Sequence, residues 1–224
     1  MKKIFLTLVL CSFVGAMFAQ GLKFGVTAGL NASKINMGSA DMGGMDNVFK
    51  AGFQAGVVLD YGITPNFSII PELNFSQKGT KLSGSETGVK VDWNMTLNYL
   101  TLPINAAYKF DLGMDQKLMV FAGPYFGYGI STSNKIKGKA NGVEMNIDFA
   151  DFLDEMGLEN DALKFGSKDD QFKPFDFGVN VGVGYQYTKI FFKVQYNLGL
   201  TNIIPAEDET WKNSNVGVTV GYMF

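Results

Sequence analysis

Ser214-Asn215-Val216-Gly217-Val218-Thr219-Val220-Gly221-Tyr222-Met223-Phe224 closes the chain. Side chains of an extended strand alternate between its faces. Val216, Val218, Val220, Tyr222 and Phe224 therefore share one side, and Asn215, Gly217, Thr219, Gly221 and Met223 the other. The first row is apolar and the second small or polar. A soluble sandwich gains nothing from aromatics on the outward side of such a strand. A barrel in a membrane does, with lipid against the apolar row and a packed or wet lumen against the other.

Seven earlier stretches repeat the pattern. They are Leu22 to Leu30, Phe49 to Tyr61, Phe67 to Ser76, Leu97 to Phe110, Lys117 to Ser131, Phe175 to Tyr187 and Ile190 to Leu200. Connections alternate between long and short, and the short ones are rich in turn formers, as in Gly62-Ile63-Thr64-Pro65-Asn66. Long outer loops and short inner turns are expected of an outer-membrane barrel, as is an even strand count. The alternation predicts an all-β, eight-stranded antiparallel transmembrane β-barrel. Aromatics sort toward the strand ends, Tyr61, Tyr108, Tyr187 and Phe224 at one interface and Phe53, Phe126, Tyr128 and Tyr196 nearer the other.

Three details complicate the pattern. The apolar phase slips near Tyr99, which predicts a bulge. Pro71, Pro103 and Pro124 fall inside strands with two neighbours, where a missing N–H also calls for bulges. The longest connection, Thr132 to Lys173, holds Phe149, Phe152, Leu153 and Met156 at helical spacing, predicting a short amphipathic helix in the third long loop. Its acids Asp148, Asp151, Asp154, Glu155, Glu159 and Asp161 read as a solvated face, since the spaced ligands and turn glycine of a calcium loop are missing. Lys135 to Ile147 is expected to form a small hairpin, and Gln77 to Trp93 a hairpin standing above the membrane.

Composition agrees. Of 224 residues 18% are charged and 14% aromatic, and glycine numbers 27. The 19 basic residues are all Lys, against 21 acids, which excludes a generally basic nucleic-acid binder. Residues 1–19 read as a signal peptide: Lys2 and Lys3, an apolar run from Ile4 to Phe13, and Ala19 before Gln20. Its removal leaves a net charge of −4 and residues 20–224 as one barrel domain. The lone Cys11 goes with it, and Leu10 is too large for a lipoprotein signal.

The inward phase carries Lys23, Lys50, Asp60, Glu72, Asp176 and Lys193. Three acids and three bases predict a neutralised polar network in the lumen, because isolated buried charges are costly. An eight-stranded interior is only just filled by side chains, so a plug is favoured over an ion path. Within that network Glu72 and Lys193 are expected to be partners, joined by Asn74, Gln195 or Asn180.

Tyr99-Leu100-Thr101-Leu102-Pro103-Ile104, Ala122-Gly123-Pro124-Tyr125, Asp176-Phe177-Gly178 with Gly182-Val183-Gly184-Tyr185, and the terminal Phe224 resemble the PorT-type outer-membrane β-barrel family of the Bacteroidota. The resemblance spans residues 20–224. It implies the bacterial outer membrane as location and outer-membrane lipid as surroundings. The founding member is linked to type IX protein secretion, and no residue here carries that role over. The closing strand also resembles the signal read by the barrel-assembly machinery, with Val216, Val218, Val220, Tyr222 and Phe224 as its residues.

Function is expected to be non-enzymatic: a surface binding, anchoring or scaffolding module whose long loops meet an extracellular ligand or envelope protein. A small pore or transport-associated barrel is the alternative, and a membrane-embedded lipid-modifying enzyme comes third. With no His, and no Cys beyond residue 19, the usual bases and nucleophiles of such enzymes are missing. No cofactor or metal motif is present; the Gly-x-Gly runs lie at alternate strand positions, where they pack a lumen.

Overall fold

The computed structural model describes residues 22–38, 44–86, 89–140, 143–147, 149, 151, 154, 163–168, 171–205 and 209–224. Residues 1–19, expected to be a signal peptide, lie outside them, and so do most residues of the helix expected over Phe149 to Met156. The described residues form ten strands: β1 (Leu22–Asn36), β2 (Asp46–Val48), β3 (Lys50–Gly62), β4 (Phe67–Glu86), β5 (Val89–Gly113), β6 (Gln116–Ala140), β7 (Val143–Ile147), β8 (Phe175–Tyr187), β9 (Ile190–Gly199) and β10 (Lys212–Met223). Eight of them close a ring of antiparallel neighbours in the order β1-β3-β4-β5-β6-β8-β9-β10, and β10 returns to β1. The remaining two, β2 on β4 and β7 on β6, are short additions.

The outward row is apolar all around the ring. Val26, Leu30, Phe53, Val57, Leu102, Tyr108, Val181, Phe192 and Val218 all expose their side chains, as lipid-facing positions must. The short turns follow from local chemistry. Met114 and Asp115 both take positive φ, 50° and 58°, which gives a two-residue hairpin the twist its strands need. The amide of Thr188, in the next short turn, donates to the Asp115 carbonyl at 2.9 Å and ties the two turns together.

β4, β5 and β6 are far longer than a membrane requires. β5 and β6 have 25 residues each, against the roughly 9–11 of a tilted crossing. Ladder pairing between β4 and β5 runs out to Glu86↔Val89, and β6 turns back through Ala140↔Val143 into β7. The expected upper hairpins are thus direct continuations of the wall. With β2 they make an outer sheet in the order β2-β4-β5-β6-β7.

The phase slip near Tyr99 has a more specific origin than a bulge in its own strand. Asn98 pairs Ser131 and Tyr99 pairs Gly129, so the extra residue is Ile130 on β6. β5 itself keeps its odd-numbered residues inward throughout, from Met95 to Lys109. Its apolar row changes side because its surroundings change: outward in lipid, inward above it.

The prolines do not produce bulges. Pro71↔Ile104 and Asn74↔Thr101 share one register, as do Pro103↔Tyr125 and Ala106↔Ala122. Between the members of each couple two rungs of pairing are absent. A strand thus tolerates the missing N–H by omitting rungs while its neighbours hold it in line.

Candidate functional site

The lumen is filled in layers. At the inner mouth the Asp60 carboxylate of β3 accepts from Lys109 Nζ of β5. Above them Val58, Ile70, Ala107, Met119, Phe121, Phe191 and Met223 form an apolar plug. Lys193 Nζ lies 5.7 Å from both the Phe121 and Phe191 rings and donates to Glu72 Oε1. Asn74 Nδ2 donates to the other Glu72 oxygen at 3.2 Å, and Thr27 Oγ1 donates to Asn74 Oδ1 at 3.2 Å. A relay of three amides and a hydroxyl then joins four strands: Asn197 donates to Asn215 at 3.0 Å, Asn215 to Asn31 at 3.4 Å, and Asn31 to Ser76 at 3.1 Å.

The uppermost polar layer centres on Asp176, whose side chain is fully buried. Its Oδ2 accepts from Lys78 Nζ at 2.9 Å and from Asn213 Nδ2 at 3.0 Å, and Tyr125 Oη lies 3.3 Å away. Lys78 also sits over the Tyr125 ring, 4.4 Å from its centroid. Asn213 donates on to Tyr99 Oη at 3.3 Å. Tyr99 begins a second apolar cluster, outside the membrane, with Ile35, Met37, Leu82, Met95, Leu97, Phe172 and Ile203. The connections after β7 and after β9 supply Phe172 and Ile203, so the loops fold down onto the outer sheet and cap the ring.

Burying three ion pairs gains little net stability, because desolvation offsets the attraction. What the pairing achieves is neutrality: each charge taken into the lumen has its counterpart, and at Glu72 and Asp176 further carboxylate lone pairs are met by Asn, Thr or Tyr. Two small cavities lie among the described residues. A cavity of about 20 Å³ is lined by Asp60, Lys109, Gln186 and Lys193 among others, and one of about 10 Å³ by Gln54, Asn74, Lys78 and Tyr125 among others. Each is about the size of one water, far below a conducting path.

Four of the six lumen charges named from sequence occupy buried pairs: Asp60, Glu72, Asp176 and Lys193. The other two do not. Lys23 has the inward phase and lies opposite Asp60 in register, yet it is exposed at the inner mouth and Lys109 takes the carboxylate. Lys50 is half-buried at the outer end of β3, its Nζ on the Ala51 carbonyl at 3.3 Å. Their places belong to Lys109 and Lys78. Lys109 was visible as an inward-phase residue of its strand, opposite in phase to Tyr108. Lys78 was hidden because Gln77 to Trp93 reads as a connection. Of the expected bridging amides, Asn74 touches Glu72, while the Asn180 amide is buried without a hydrogen-bond partner among the described residues. Val216, Val218, Val220, Tyr222 and Phe224 all expose their side chains. Phe224 stacks on Phe24 of β1, with ring centroids 4.7 Å apart, where the barrel closes. Among the described residues no group of His, Cys, Asp or Glu is arranged to hold a metal.

A closed antiparallel ring with an apolar exterior and a neutralised interior defines a membrane-spanning β-barrel. The chain belongs to the outer membrane protein beta-barrel domain family, whose model matches residues 18–205. Its place is the bacterial outer membrane. No curated protein matches it. Among solved structures it is similar to the outer membrane protein OprG from Pseudomonas aeruginosa, at 12% identity over 90% of this chain and 95% of that one, TM-score 0.46. It is similar to Neisserial surface protein A, at 14% identity over 91% and 99%, TM-score 0.43. It is also similar to Ail, the attachment invasion locus protein of Yersinia pestis, in complex with the heparin analogue sucrose octasulfate, at 12% identity over 91% and 99%, TM-score 0.40.

Proposed function

We propose that the protein is a non-conducting, non-enzymatic surface module, in which a sealed barrel holds an ordered outer platform for binding, anchoring or scaffolding. The observation that supports this reading is the continuity of β4, β5 and β6 from the inner turns to a capped apolar cluster above the ring. A pore needs a wet lumen, and here two apolar layers enclose a polar one whose buried carboxylates are each paired with a lysine. A hydrolase needs a titratable group free to move a proton, and the lumen carboxylates of Asp60, Glu72 and Asp176 are each engaged by a lysine. Extracellular ligands or envelope proteins would meet the outer platform, and the barrel-assembly machinery the β10 edge.

We also place the chain in the PorT-type branch of the Bacteroidota, on the Tyr99-to-Ile104 and Ala122-to-Tyr125 pieces, with residues 1–19 as a cleaved signal peptide and the cell envelope as destination. Mass spectrometry of protein from outer membranes should find Gln20 at the N-terminus. The functional reading is tested in planar bilayers. The reconstituted protein should give no steady conductance, and removing the cap around Phe172 and Ile203 should not open one, because the lower plug remains. Steady ohmic steps from the intact protein would replace this reading with the pore.

A further inference from the structure

One rung of the wall carries asparagines on the lumen side of four strands. Asn180 of β8 pairs Asn197 of β9, and Asn197 pairs Asn215 of β10. On its other side Asn180 pairs Gly123 of β6. Asn105 of β5 stands opposite that glycine, within the omitted rungs between Pro103↔Tyr125 and Ala106↔Ala122. All four asparagines are buried. Asn197 and Asn215 are bonded to each other. Asn180 stays outside that chain. Neither its Oδ1 nor its Nδ2 has a hydrogen-bond partner among the described residues, and Asn105 Oδ1 has none either. Buried amide atoms in folded proteins are paired almost without exception, with protein or with ordered water.

The break falls at Gly123. A Cβ there would collide with the Ile104 carbonyl oxygen, so no side chain can stand between Asn105 and Asn180. The same close approach shows that this carbonyl points at β6, where its opposite number in register is Pro124. Proline has no N–H to give it. Outside the wall Leu102, Val179 and Leu198 are exposed to lipid, which offers a carbonyl no donor. On the lumen side the Tyr125 ring reaches over Gly178 and the Phe121 ring over Gly182, each into the place a Cβ would take. Two aromatic rings thus bound the spot above and below, with an asparagine to either side and the Ile104 carbonyl at the floor. Asn105 Oδ1 and the carbonyl can only accept, and the Asn180 amide also donates. None of these groups is charged. They suit a small neutral molecule with two hydrogens to give and a lone pair to receive.

We propose that Asn105, Asn180 and the Ile104 carbonyl hold one buried water molecule over Gly123. It donates to Asn105 Oδ1 and to the carbonyl and accepts from the Asn180 amide, a set of partners of the usual size for a structural water. β5 and β8 are thereby joined across a strand that contributes no side chain at that level. The water also supplies the hydrogen that Pro124 withholds, so the lipid-embedded wall carries this proline without stranding a carbonyl.

The test uses the full-length mature protein, deuterated and labelled with nitrogen-15, folded in detergent micelles. Cross-relaxation between water and side-chain amide protons is recorded in the laboratory and the rotating frame. The Asn105 and Asn180 amides should each give a water peak of opposite sign in the two frames, the mark of a water that stays longer than nanoseconds. The Asn215 amide, engaged by Asn197 and Asn31, should give none. Asn180→Leu should lose the Asn105 peak while keeping heat-modifiable migration; if that variant does not fold, the unsubstituted protein decides alone. Absence of a water peak at Asn105 or Asn180 would overturn the proposal, as would an Asn105 peak that survives Asn180→Leu. An equal peak at Asn215 would overturn it too, because the lumen would then be wet throughout instead of at one built site.

Discussion

Lys193 on β9 and Glu72 on β4 are 121 residues apart in sequence, yet their side chains meet inside the barrel, each only 3% exposed. They come from opposite walls, so the contact spans the lumen.

Replacing either partner alone leaves an uncompensated charge among apolar rings. Glu72→Gln or Lys193→Met should each cost about 3–5 kcal/mol, and the double variant clearly less than the sum. Denaturant unfolding in detergent, run as a double-mutant cycle, measures the coupling. Additive single effects would show that the two groups do not depend on each other.

Asp176 anchors the layer where barrel meets cap. Asp176→Asn keeps the shape but strands the Lys78 ammonium, with an expected loss of about 3–5 kcal/mol. Adding Lys78→Met should recover most of it. Because Asn213 links Asp176 to Tyr99, the single change should also loosen the cap, seen as faster proteolysis between residues 163 and 175. A barrel that weakens while the cap keeps its protease resistance would uncouple the two.

Gly79 lies on β4 just beyond Lys78 with φ of +135°, and a Cβ built there would fall 2.0 Å from the Met95 carbonyl oxygen. Gly79→Ala should cost about 1–3 kcal/mol in backbone strain, with the clash in addition. Gly84, further along β4, has ordinary φ, and a Cβ there comes nearest the flexible Met45 side chain at 3.1 Å, so Gly84→Ala serves as the mild comparison. Equal midpoints for the two variants would contradict this account.

Phe224 contributes twice at the closing seam. Its N–H donates to the Phe24 carbonyl at 2.9 Å, and its ring stacks on the Phe24 ring. Phe224→Ala keeps the backbone bond and should lose about 0.5–1.5 kcal/mol of ring contact beyond its buried area. Deleting the residue removes both and should lower the yield of heat-modifiable protein from outer membranes further than Phe224→Ala does. Unchanged yield after the deletion would remove Phe224 from the assembly signal.

β8 was readable end to end, Phe175 to Tyr187, because its two faces differ at every step and turn formers bound it. β4 and β5 were underread for a physical reason. An apolar row marks the outside of a strand only where lipid surrounds it. Past Gln77 the environment inverts, Leu82 and Met95 turn inward, and Lys81, Ser83 and Asp92 take the outside. That exchange of sides resembles a loss of pattern, so the strands seemed to end at the membrane surface and Lys78 was left in a connection. The lumen charges were legible as a set through their phase. Which base meets which acid was less so: Lys23 and Lys109 are both near Asp60, and only depth within the barrel separates an exposed rim position from a buried one.

The 25 residues of β5 run unbroken for roughly 80 Å, from a turn at one membrane face to a tip well beyond the other. Drag on that tip, from a tethered partner or from flow across the cell, pulls along the strand axis. Its ladder bonds to β4 and β6 then resist together in shear rather than opening one by one. The load passes down the wall to the tight turn at Met114 and Asp115, at the inner surface of the membrane.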